Sequence, residues 1–212
     1  MQRLESMDIN DFDNKIVRLT DEDGKIFTGK AFSFSKEYGL HEYGKEKGGI
    51  KLNGFLFFED EKKEIEIMKG MEVIRANKLW QQAGAYYVRI QAMARKHHIT
   101  LRQEFDEHDA QDTKYIVITD DDFPIATARM YPEDEKCVMI GRVVVLPEYR
   151  RLGIGTMTVS ECEAWAKDLG YSKCVLESRD NKVGFYEQLG YEACGEVKQG
   201  ETFVCVRMEK EV

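Results

Sequence analysis

A basic turn punctuated by glycines constrains the fold of this 212-residue chain more than any other feature: residues 150–155 spell RRLGIG. An apolar run that ends at Val145 and a strand-breaking Pro147 precede the turn, and a helical pattern follows it. Gly153 and Gly155 allow the backbone to approach a ligand without obstruction by a Cβ atom. The N–H groups at the start of the following helix bind anions, and the two arginines add positive charge. The turn therefore predicts a site for a phosphate or pyrophosphate.

Two common phosphate-binding loops do not fit this turn. The P-loop requires GxxxxGK followed by Ser or Thr, but no lysine follows Gly155. The dinucleotide-binding fingerprint requires GxGxxG at the end of a first parallel strand. The spacing here is instead R-x-x-G-x-G, between an apolar strand and a helix.

The R-x-x-G-x-G spacing and the order of strands and helices over residues 114–209 resemble the GNAT family of N-acetyltransferases. This resemblance implies an α/β (α+β) fold in which helices flank a mixed, mostly antiparallel sheet, and acetyl-CoA as the co-substrate. It also implies that backbone amides of the turn hold the CoA pyrophosphate. The preceding strand edge would pair with the pantetheine arm and polarise the thioester carbonyl. By matching position, the CoA-binding residues would be Val143, Val144, Val145, Arg150, Arg151, Leu152, Gly153, Ile154, Gly155, Thr156 and Asn181.

The segment NKVGFYEQLGY at residues 181–191 resembles the second CoA-binding segment of the same family. In that family the tyrosine, here Tyr186, often protonates the departing CoA thiolate, which requires a phenol close to the sulfur. A buried tyrosine that fastens the last helix to the sheet is the alternative. Family members often carry Asn or Gln seven residues before the tyrosine. Arg179 occupies that position here, and Asn181 follows two residues later.

Residues 85–109 resemble one GNAT subgroup, the ElaA type. Lys96 and His97 depart from this subgroup, which carries Glu-Gln there. The residues that match its pattern are Arg89, Glu104, Asp106 and Asp109.

The sequence does not single out one residue as the general base, the group that takes a proton from the amine. Histone-type members of the family carry a glutamate four residues before Val143, where this chain has Met139. The alternatives, each also expected as a solvated surface charge, are Glu104, Asp106, His108 and Glu177.

The first 75 residues contain neither proline nor cysteine and show the pattern of short strands and turns. KIVRLT, the turn signal DEDG and KIFTGKAFSFS predict a β-hairpin, in which Gly29 indicates a bend or bulge. The polar stretch at residues 36–54 is predicted to be a loop. Residues 8–70 resemble an Sm-like domain, which implies a small all-β barrel at residues 1–75 that precedes an acetyltransferase domain at residues 76–212.

Residues 78–98 show a helical period. The apolar stripe that is predicted to face the core consists of Trp80, Ala83, Tyr87, Ile90 and Ala94.

The composition limits the possible partners and location. The chain carries 31 basic and 39 acidic residues, a net charge of −8, which argues against a nucleic-acid binder. It has no apolar run long enough to span a membrane and no secretory signal. Five scattered cysteines without a CxxC pattern indicate reduced thiols rather than a metal site or a disulfide framework. These features predict a cytoplasmic protein without a bound metal.

The sequence thus predicts an enzyme that moves an acetyl group from acetyl-CoA to a primary amine by direct attack. The acidic surface favours a small cationic amine or a basic peptide as the acceptor. The alternative is an adaptor, in which the Sm-like module binds RNA or protein and the GNAT domain senses acyl-CoA. The module at residues 1–75 would also suit formation of a homo-oligomer.

Overall fold

The computed structural model describes residues 2–61, 63–109, 113–195, 198–199 and 204–212. Its strands are β1 (Gln2–Arg3), β2 (Ile16–Thr20), β3 (Ile26–Phe34), β4 (Gly49–Leu52), β5 (Phe55–Phe58), β6 (Glu64–Ile67), β7 (Met71–Arg75), β8 (Lys114–Asp120), β9 (Phe123–Pro132), β10 (Cys137–Val145), β11 (Lys173–Arg179), β12 (Glu192–Ala193), β13 (Lys198–Gln199) and β14 (Val204–Glu211). Its α-helices are α1 (Lys36–Tyr43), α2 (Leu79–Arg89), α3 (Leu101–Glu104), α4 (Ile154–Asp168) and α5 (Val183–Glu187). A π-helical segment, Ile90–Arg95, continues α2. The sequence places the start of the last strand at Phe203, which lies outside the described residues.

The chain divides into two compact units. The first unit consists of Met1–Glu72, Thr119–Phe123 and Pro147–Met157. The second unit consists of Val73–Ile118, Pro124–Leu146 and Thr158–Val212. The turn that is predicted to bind pyrophosphate therefore belongs to the first unit, and the strand edge that is predicted to bind pantetheine belongs to the second.

The first unit contains a six-stranded antiparallel sheet in the order β1-β6-β2-β3-β4-β5. β3 is shared between two halves of this sheet, because residues 26–30 pair with β2 and residues 31–34 pair with β4. Leu19, Ile50 and Leu52 are fully buried in its core. The predicted hairpin of β2 and β3 is confirmed. The pairing order of the described strands ends at β1 and β5, and a closed barrel is not shown.

The stretch at residues 36–54 is not the predicted loop, since it contains α1 and β4. The Ser35 side chain caps α1 by accepting a hydrogen bond from the Tyr38 N–H, and Gly44 ends the helix in the left-handed conformation (φ 67°). The rings of Phe34 and Tyr43 pack edge to face at 5.5 Å. These caps and ring contacts stabilise a helix that the polar composition does not indicate.

A bend or bulge is predicted at Gly29, and the bulge is wrong because Gly29 lies in a regular ladder. β2 and β3 keep one register from Ile16↔Lys30 to Thr20↔Ile26, across Gly29. The reason for glycine is the Asn53 side chain, whose amide donates a hydrogen bond to the Thr28 carbonyl at 2.8 Å. A Cβ atom on Gly29 would lie 2.2 Å from the Asn53 Oδ1 atom.

Replacement of Gly29 with Ala is expected to lower the free energy of unfolding by about 1–3 kcal/mol, because the new methyl group displaces the Asn53 amide. In an Asn53→Gly background, which removes the amide and tolerates the positive φ of 50° at this position, the same replacement should cost less. Urea denaturation of the four proteins measures both costs and their difference. Equal costs in the two backgrounds would contradict this explanation.

The second sheet has the order β12-β14-β11-β10-β9-β8-β7, and β13 pairs with β14. β10 and β11 are parallel, whereas β10 pairs antiparallel with β9, and β11 with β14. The predicted mixed sheet of an α/β fold is therefore confirmed. No helix in the described part of the chain is both long and apolar enough to cross a membrane.

The prediction for the buried face of α2 is wrong for Trp80, Ala83 and Tyr87, which are exposed, whereas Ala94 is buried as predicted. Trp80 is 54% exposed and Tyr87 is 36% exposed, whereas Gln81 and Arg89 are buried. The Gln81 side chain accepts hydrogen bonds from the backbone of Asn77 and Lys78. A hydrophobic pattern cannot indicate this face of α2, because two of the residues on the face are polar and are buried together with their hydrogen-bond partners.

Candidate functional site

Two parallel strands part near the middle of the second sheet. The ladder between β10 and β11 runs from Cys137↔Lys173 to Ile140↔Leu176. β10 continues to Val145, while β11 continues to Arg179 in its pairing with β14. The predicted pantetheine-binding residues 143–145 therefore lie on β10 after its ladder with β11 has ended. An extended ligand that is rich in amide groups can bind at such a strand edge by adding to the sheet.

β10 also carries a β-bulge that the sequence interpretation missed. Its register against β9 shifts between Gly141↔Arg129 and Val144↔Thr127, so that β10 holds one extra residue. Arg142 has a left-handed backbone (φ 50°). A bulge takes a backbone N–H group out of the regular ladder and turns it in a new direction. Gly141 inside an apolar strand is the signal in the sequence, because glycine in a strand often marks a bulge.

The predicted pyrophosphate turn leads directly into a helix. A 3-10 turn at Pro147–Tyr149 is followed by Arg151 and Gly153, which both have positive φ angles of 62° and 75°. The 15-residue helix α4 begins at Ile154, which is buried. Arg150 and Arg151 are exposed, whereas Leu152, Gly155 and Thr156 are partly buried. The helix start and the exposed guanidinium groups have the properties of an anion site.

The turn packs against β3 within the first unit. The hydroxyl group of Thr28, which is fully buried, donates a hydrogen bond to the Leu152 carbonyl. A Cβ atom on Gly153 would lie 2.5 Å from the Thr28 backbone nitrogen. Glycine is therefore required at position 153 by its positive φ and by a neighbouring strand, in addition to any approach of a ligand.

Tyr186 lies on α5, after β11. Its side chain is partly buried, and its ring packs edge to face against Tyr191 at 5.9 Å. Burial raises the pKa of Tyr186 to about 12, so its phenol keeps its proton at neutral pH. Arg179 lies at the end of β11, where its Nη2 atom is 3.8 Å from the Met93 sulfur. Asn181 is exposed in the short turn before α5.

The four residues that match the ElaA pattern meet in one buried ion cluster. Arg89 is fully buried and donates to Glu104 Oε1 at 2.8 Å and also to Asp109. Arg129 donates to Asp106 at 2.6 Å and to Asp109 at 2.8 Å. The cluster thus joins α2, the 104–109 segment and β9.

Two members of the cluster, Arg129 and Arg142, were missed by sequence reasoning. Arg142 lies at the bulge and donates to Asp106 Oδ2 at 3.1 Å and to the Glu104 carbonyl at 3.2 Å. Each of these arginines interrupts an apolar strand, in ATARMY and MIGRVVV. That pattern was the available signal, because a charge inside a buried strand requires an oppositely charged partner.

The cluster decides which carboxylates can act as a base. Although burial opposes it, the hydrogen bond from Arg129 lowers the pKa of Asp106. In the same way, hydrogen bonds from Arg89 and Tyr115 hold the pKa of Asp109 well below its usual range. Glu104 is 2% exposed and ion-paired, so the prediction of a solvated position is wrong for this residue. Asp106 and Asp109 stay ionised partners of arginine, which makes them poor proton acceptors at neutral pH.

The two other candidate bases lie outside the cluster. His108 is exposed and its ring stacks on Tyr131 at 4.2 Å, with an angle of 8° between the ring planes. Glu177 is exposed on β11, opposite Arg207 of β14. Among the described residues, no group of three or more His, Cys, Asp and Glu side chains is arranged to hold a metal ion.

Comparisons with known proteins agree with this arrangement of strands. A profile of the acetyltransferase (GNAT) family matches residues 77–191. An uncharacterized acetyltransferase of Streptococcus pyogenes serotype M1 is 28% identical over 95 residues, which cover 45% of this chain and 67% of that protein. A provisionally assigned N-acetyltransferase from Lactobacillus plantarum aligns with a TM-score of 0.64 and 26% identity, over 68% of this chain and 99% of that one. Escherichia coli ElaA has a similar fold, with a TM-score of 0.57 and 20% identity over 66% of this chain and 98% of that one.

Replacement of Asp109 with Asn is expected to lower the free energy of unfolding at pH 7 by about 3–5 kcal/mol. It removes one of the two carboxylates that pair with Arg89 and with Arg129, and so leaves an excess positive charge in the buried cluster. The pKa of Asp109 is lowered by folding. Its contribution is therefore complete above the ordinary aspartate pKa of about 4 and declines as the pH falls toward the folded value. The difference between wild type and variant should accordingly shrink in acid.

Urea denaturation at pH 7 and at lower pH measures this difference. Asp168→Asn is the matched control, because Asp168 also pairs with an arginine, Arg75, but is 63% exposed. It should cost less than about 1 kcal/mol. A similar cost for both variants would contradict the electrostatic role of the buried cluster.

Proposed function

Because the chain belongs to the acetyltransferase (GNAT) family, we propose that it transfers an acetyl group from acetyl-CoA to a primary amine, which attacks the thioester directly. The observation that carries this proposal is the parting of β10 and β11 after Ile140↔Leu176, next to the bulge in β10. A strand edge beside a bulge supplies both an extended binding edge and a backbone donor outside the regular ladder.

The CoA pyrophosphate binds the turn that precedes α4. The backbone N–H groups of residues 150–156 are the donors, and the exposed side chains of Arg150 and Arg151 contribute positive charge. The positive φ angles of Arg151 and Gly153 support this role, since they turn successive backbone groups in different directions. Asn181 is a further contact to CoA.

The pantetheine arm pairs with residues 143–145 of β10, and a backbone N–H group there polarises the thioester carbonyl. The amine attacks in its neutral form, after its ammonium group has released one proton to solvent. Its nitrogen forms a bond to the carbonyl carbon, the bond from that carbon to sulfur breaks, and the nitrogen releases a second proton, which passes through solvent and restores the phenol of Tyr186. Tyr186 supplies the proton that the departing thiolate takes up. Its raised pKa of about 12 supports this role, because the phenol enters the reaction protonated.

Direct attack agrees with the state of the buried cysteines. Burial raises the pKa of Cys174 to about 12 and that of Cys162 well above the ordinary value. Neither thiol forms the thiolate that a covalent acetyl intermediate would need. The acceptor is a small cationic amine or a basic peptide, which the net charge of −8 attracts.

We further propose that residues 1–75 form a domain of the Sm-like type, which precedes an acetyltransferase domain at residues 76–212, in a cytoplasmic protein. Support comes from β3, which pairs with β2 in its first half and with β4 in its second. Such a shared strand is how a small antiparallel sheet curves toward a barrel. The role of this domain is to support the turn that binds CoA, since Thr28 donates a hydrogen bond to Leu152 in that turn.

Arg150→Glu is expected to weaken acetyl-CoA binding about tenfold or more, because it replaces a charge-assisted contact to phosphate with repulsion. Isothermal titration calorimetry with acetyl-CoA measures the dissociation constant. Arg3→Glu is the matched control, because Arg3 is an exposed arginine of the same unit (69% exposed). It lies on β1, three strands away from β3 in the sheet order, and this variant should bind as the wild type does. Equal affinity of the Arg150 variant and the wild type would contradict the proposed pyrophosphate site.

Tyr186→Phe is expected to lower turnover about a hundredfold with little change in acetyl-CoA affinity, because the phenol acts on the leaving thiolate rather than on CoA binding. Release of free CoA thiol is measured with a panel of small primary amines and lysine-rich peptides, and affinity is measured by calorimetry. Unchanged turnover would contradict the role of Tyr186. Tight binding of acetyl-CoA without turnover of any amine by the wild type would favour a sensor instead.

A further inference from the structure

We infer that Arg142 is a positioning residue: its ion pairs with Glu104 and Asp106 hold the β10 bulge in the conformation that presents a backbone N–H group to the thioester carbonyl. This inference rests on the proposed function. It assigns a catalytic purpose to the buried ion cluster, whose members do not touch the reacting atoms in the proposed mechanism.

The bulge needs such support because of its backbone conformation. Arg142 has a φ of 50°, in the left-handed region that residues with a Cβ atom disfavour. A conformation of this kind persists only where surrounding contacts determine it. In a strand edge that binds an extended ligand, a bulge free to relax would lose the direction of its N–H group.

The side chain of Arg142 supplies these contacts through the Nε and Nη2 atoms of its guanidinium group. Its Nε atom donates to the Glu104 carbonyl at 3.2 Å and lies 3.5 Å from Glu104 Oε1. Its Nη2 atom donates to Asp106 Oδ2 at 3.1 Å. The planar fork of arginine can make both contacts at once, whereas lysine offers one point charge.

The two acceptors are fixed in their turn by buried arginines. Glu104 accepts from Arg89 Nε at 2.8 Å, with both side chains almost fully buried. Asp106 accepts from Arg129 at 2.6 Å and 3.0 Å, in a bidentate pair. Because Arg89 and Arg129 are buried and hydrogen-bonded, Glu104 and Asp106 form a well-supported anchor for Arg142.

A chain of contacts connects Glu104 and Asp106 to β9, the strand that pairs with the bulged strand β10. The backbone of Arg129 pairs with Gly141, the residue directly before Arg142. The side chain of Arg129 binds Asp106, and Asp106 binds the side chain of Arg142. The bulge is therefore held by the β9 backbone on one side and by the ion cluster on the other, and both connections include Arg129.

Infrared difference spectroscopy tests this inference. It measures the frequency of the carbonyl stretching band of bound acetyl-CoA, which is labelled with carbon-13 at the acetyl carbonyl. In the wild type this band should lie below its position in solution, since hydrogen bonding weakens the C=O bond. In Arg142→Gln the band should return toward the solution value. The dissociation constant of CoA without the acetyl group should change less than about threefold, because the pyrophosphate turn is untouched.

Arg75→Gln is the matched control. Arg75 also pairs with two carboxylates, Glu161 and Asp168, and its side chain is 34% exposed, against 31% for Arg142. This control should keep the wild-type band. Asp106→Asn provides a second variant that removes the charge of the anchor at a partly exposed position, and it should shift the band in the same direction as Arg142→Gln.

The outcomes separate this inference from the proposed function. A wild-type band at its solution position, or no binding of acetyl-CoA by the wild type, would overturn the proposed function and the inference with it. A shifted wild-type band that both Arg142→Gln and Asp106→Asn retain would overturn the inference alone. Loss of the shift in both variants, with CoA affinity retained and the Arg75 control unchanged, would establish Arg142 as a positioning residue.

Discussion

The buried guanidinium group of Arg89 is the constraint on which the second unit depends. A charge that is removed from water without a partner costs several kcal/mol, so its surroundings must supply carboxylates. Glu104 and Asp109 come from a segment that follows the helix in sequence and must fold back over it to reach Arg89. Asp109 and Asp106 in turn take up Arg129. One electrostatic requirement thus determines how the 104–109 segment and β9 come together.

The same cluster explains why polar residues face the interior of the second unit. Tyr115 is almost fully buried and donates to Asp109 at 2.6 Å, so its hydroxyl group is satisfied within the cluster. With three arginines and three carboxylates the charges balance, and the core tolerates them because each is hydrogen-bonded. Apolar side chains of equal volume would often give a more stable core. This agrees with the inference that the cluster fixes the geometry of the bulge in β10.

Features that depend on neighbouring residues in the chain could be predicted from the sequence, whereas features that depend on distant residues could not. Local signals succeeded: the hairpin of β2 and β3 and the turn into α4 depend on residues that are close together in the chain. The buried face of α2 failed, because hydrophobic periodicity takes Arg89 for a surface residue when its counter-charges lie fifteen and twenty residues away. The bulge expected as one alternative at Gly29 is absent, whereas β10 carries one after Gly141. A strand can require glycine for several reasons. At Gly29 the reason is the close packing of the Asn53 side chain, which only the tertiary structure shows.

The sequence by itself indicated the family through its motifs, and the mixed sheet through the order of its strands and helices. It also determined the position of the turn before α4, since a basic glycine turn between an apolar strand and a helix requires only local geometry. The resemblance of residues 85–109 to the ElaA type also singled out four residues that belong to the ion cluster. Only the tertiary structure decided that these residues meet, that Arg129 and Arg142 join them, and that β10 carries its bulge at Arg142. The physical reason is that ion pairs and strand register are set between segments distant in the chain, where a charge finds its partner only after the chain has folded.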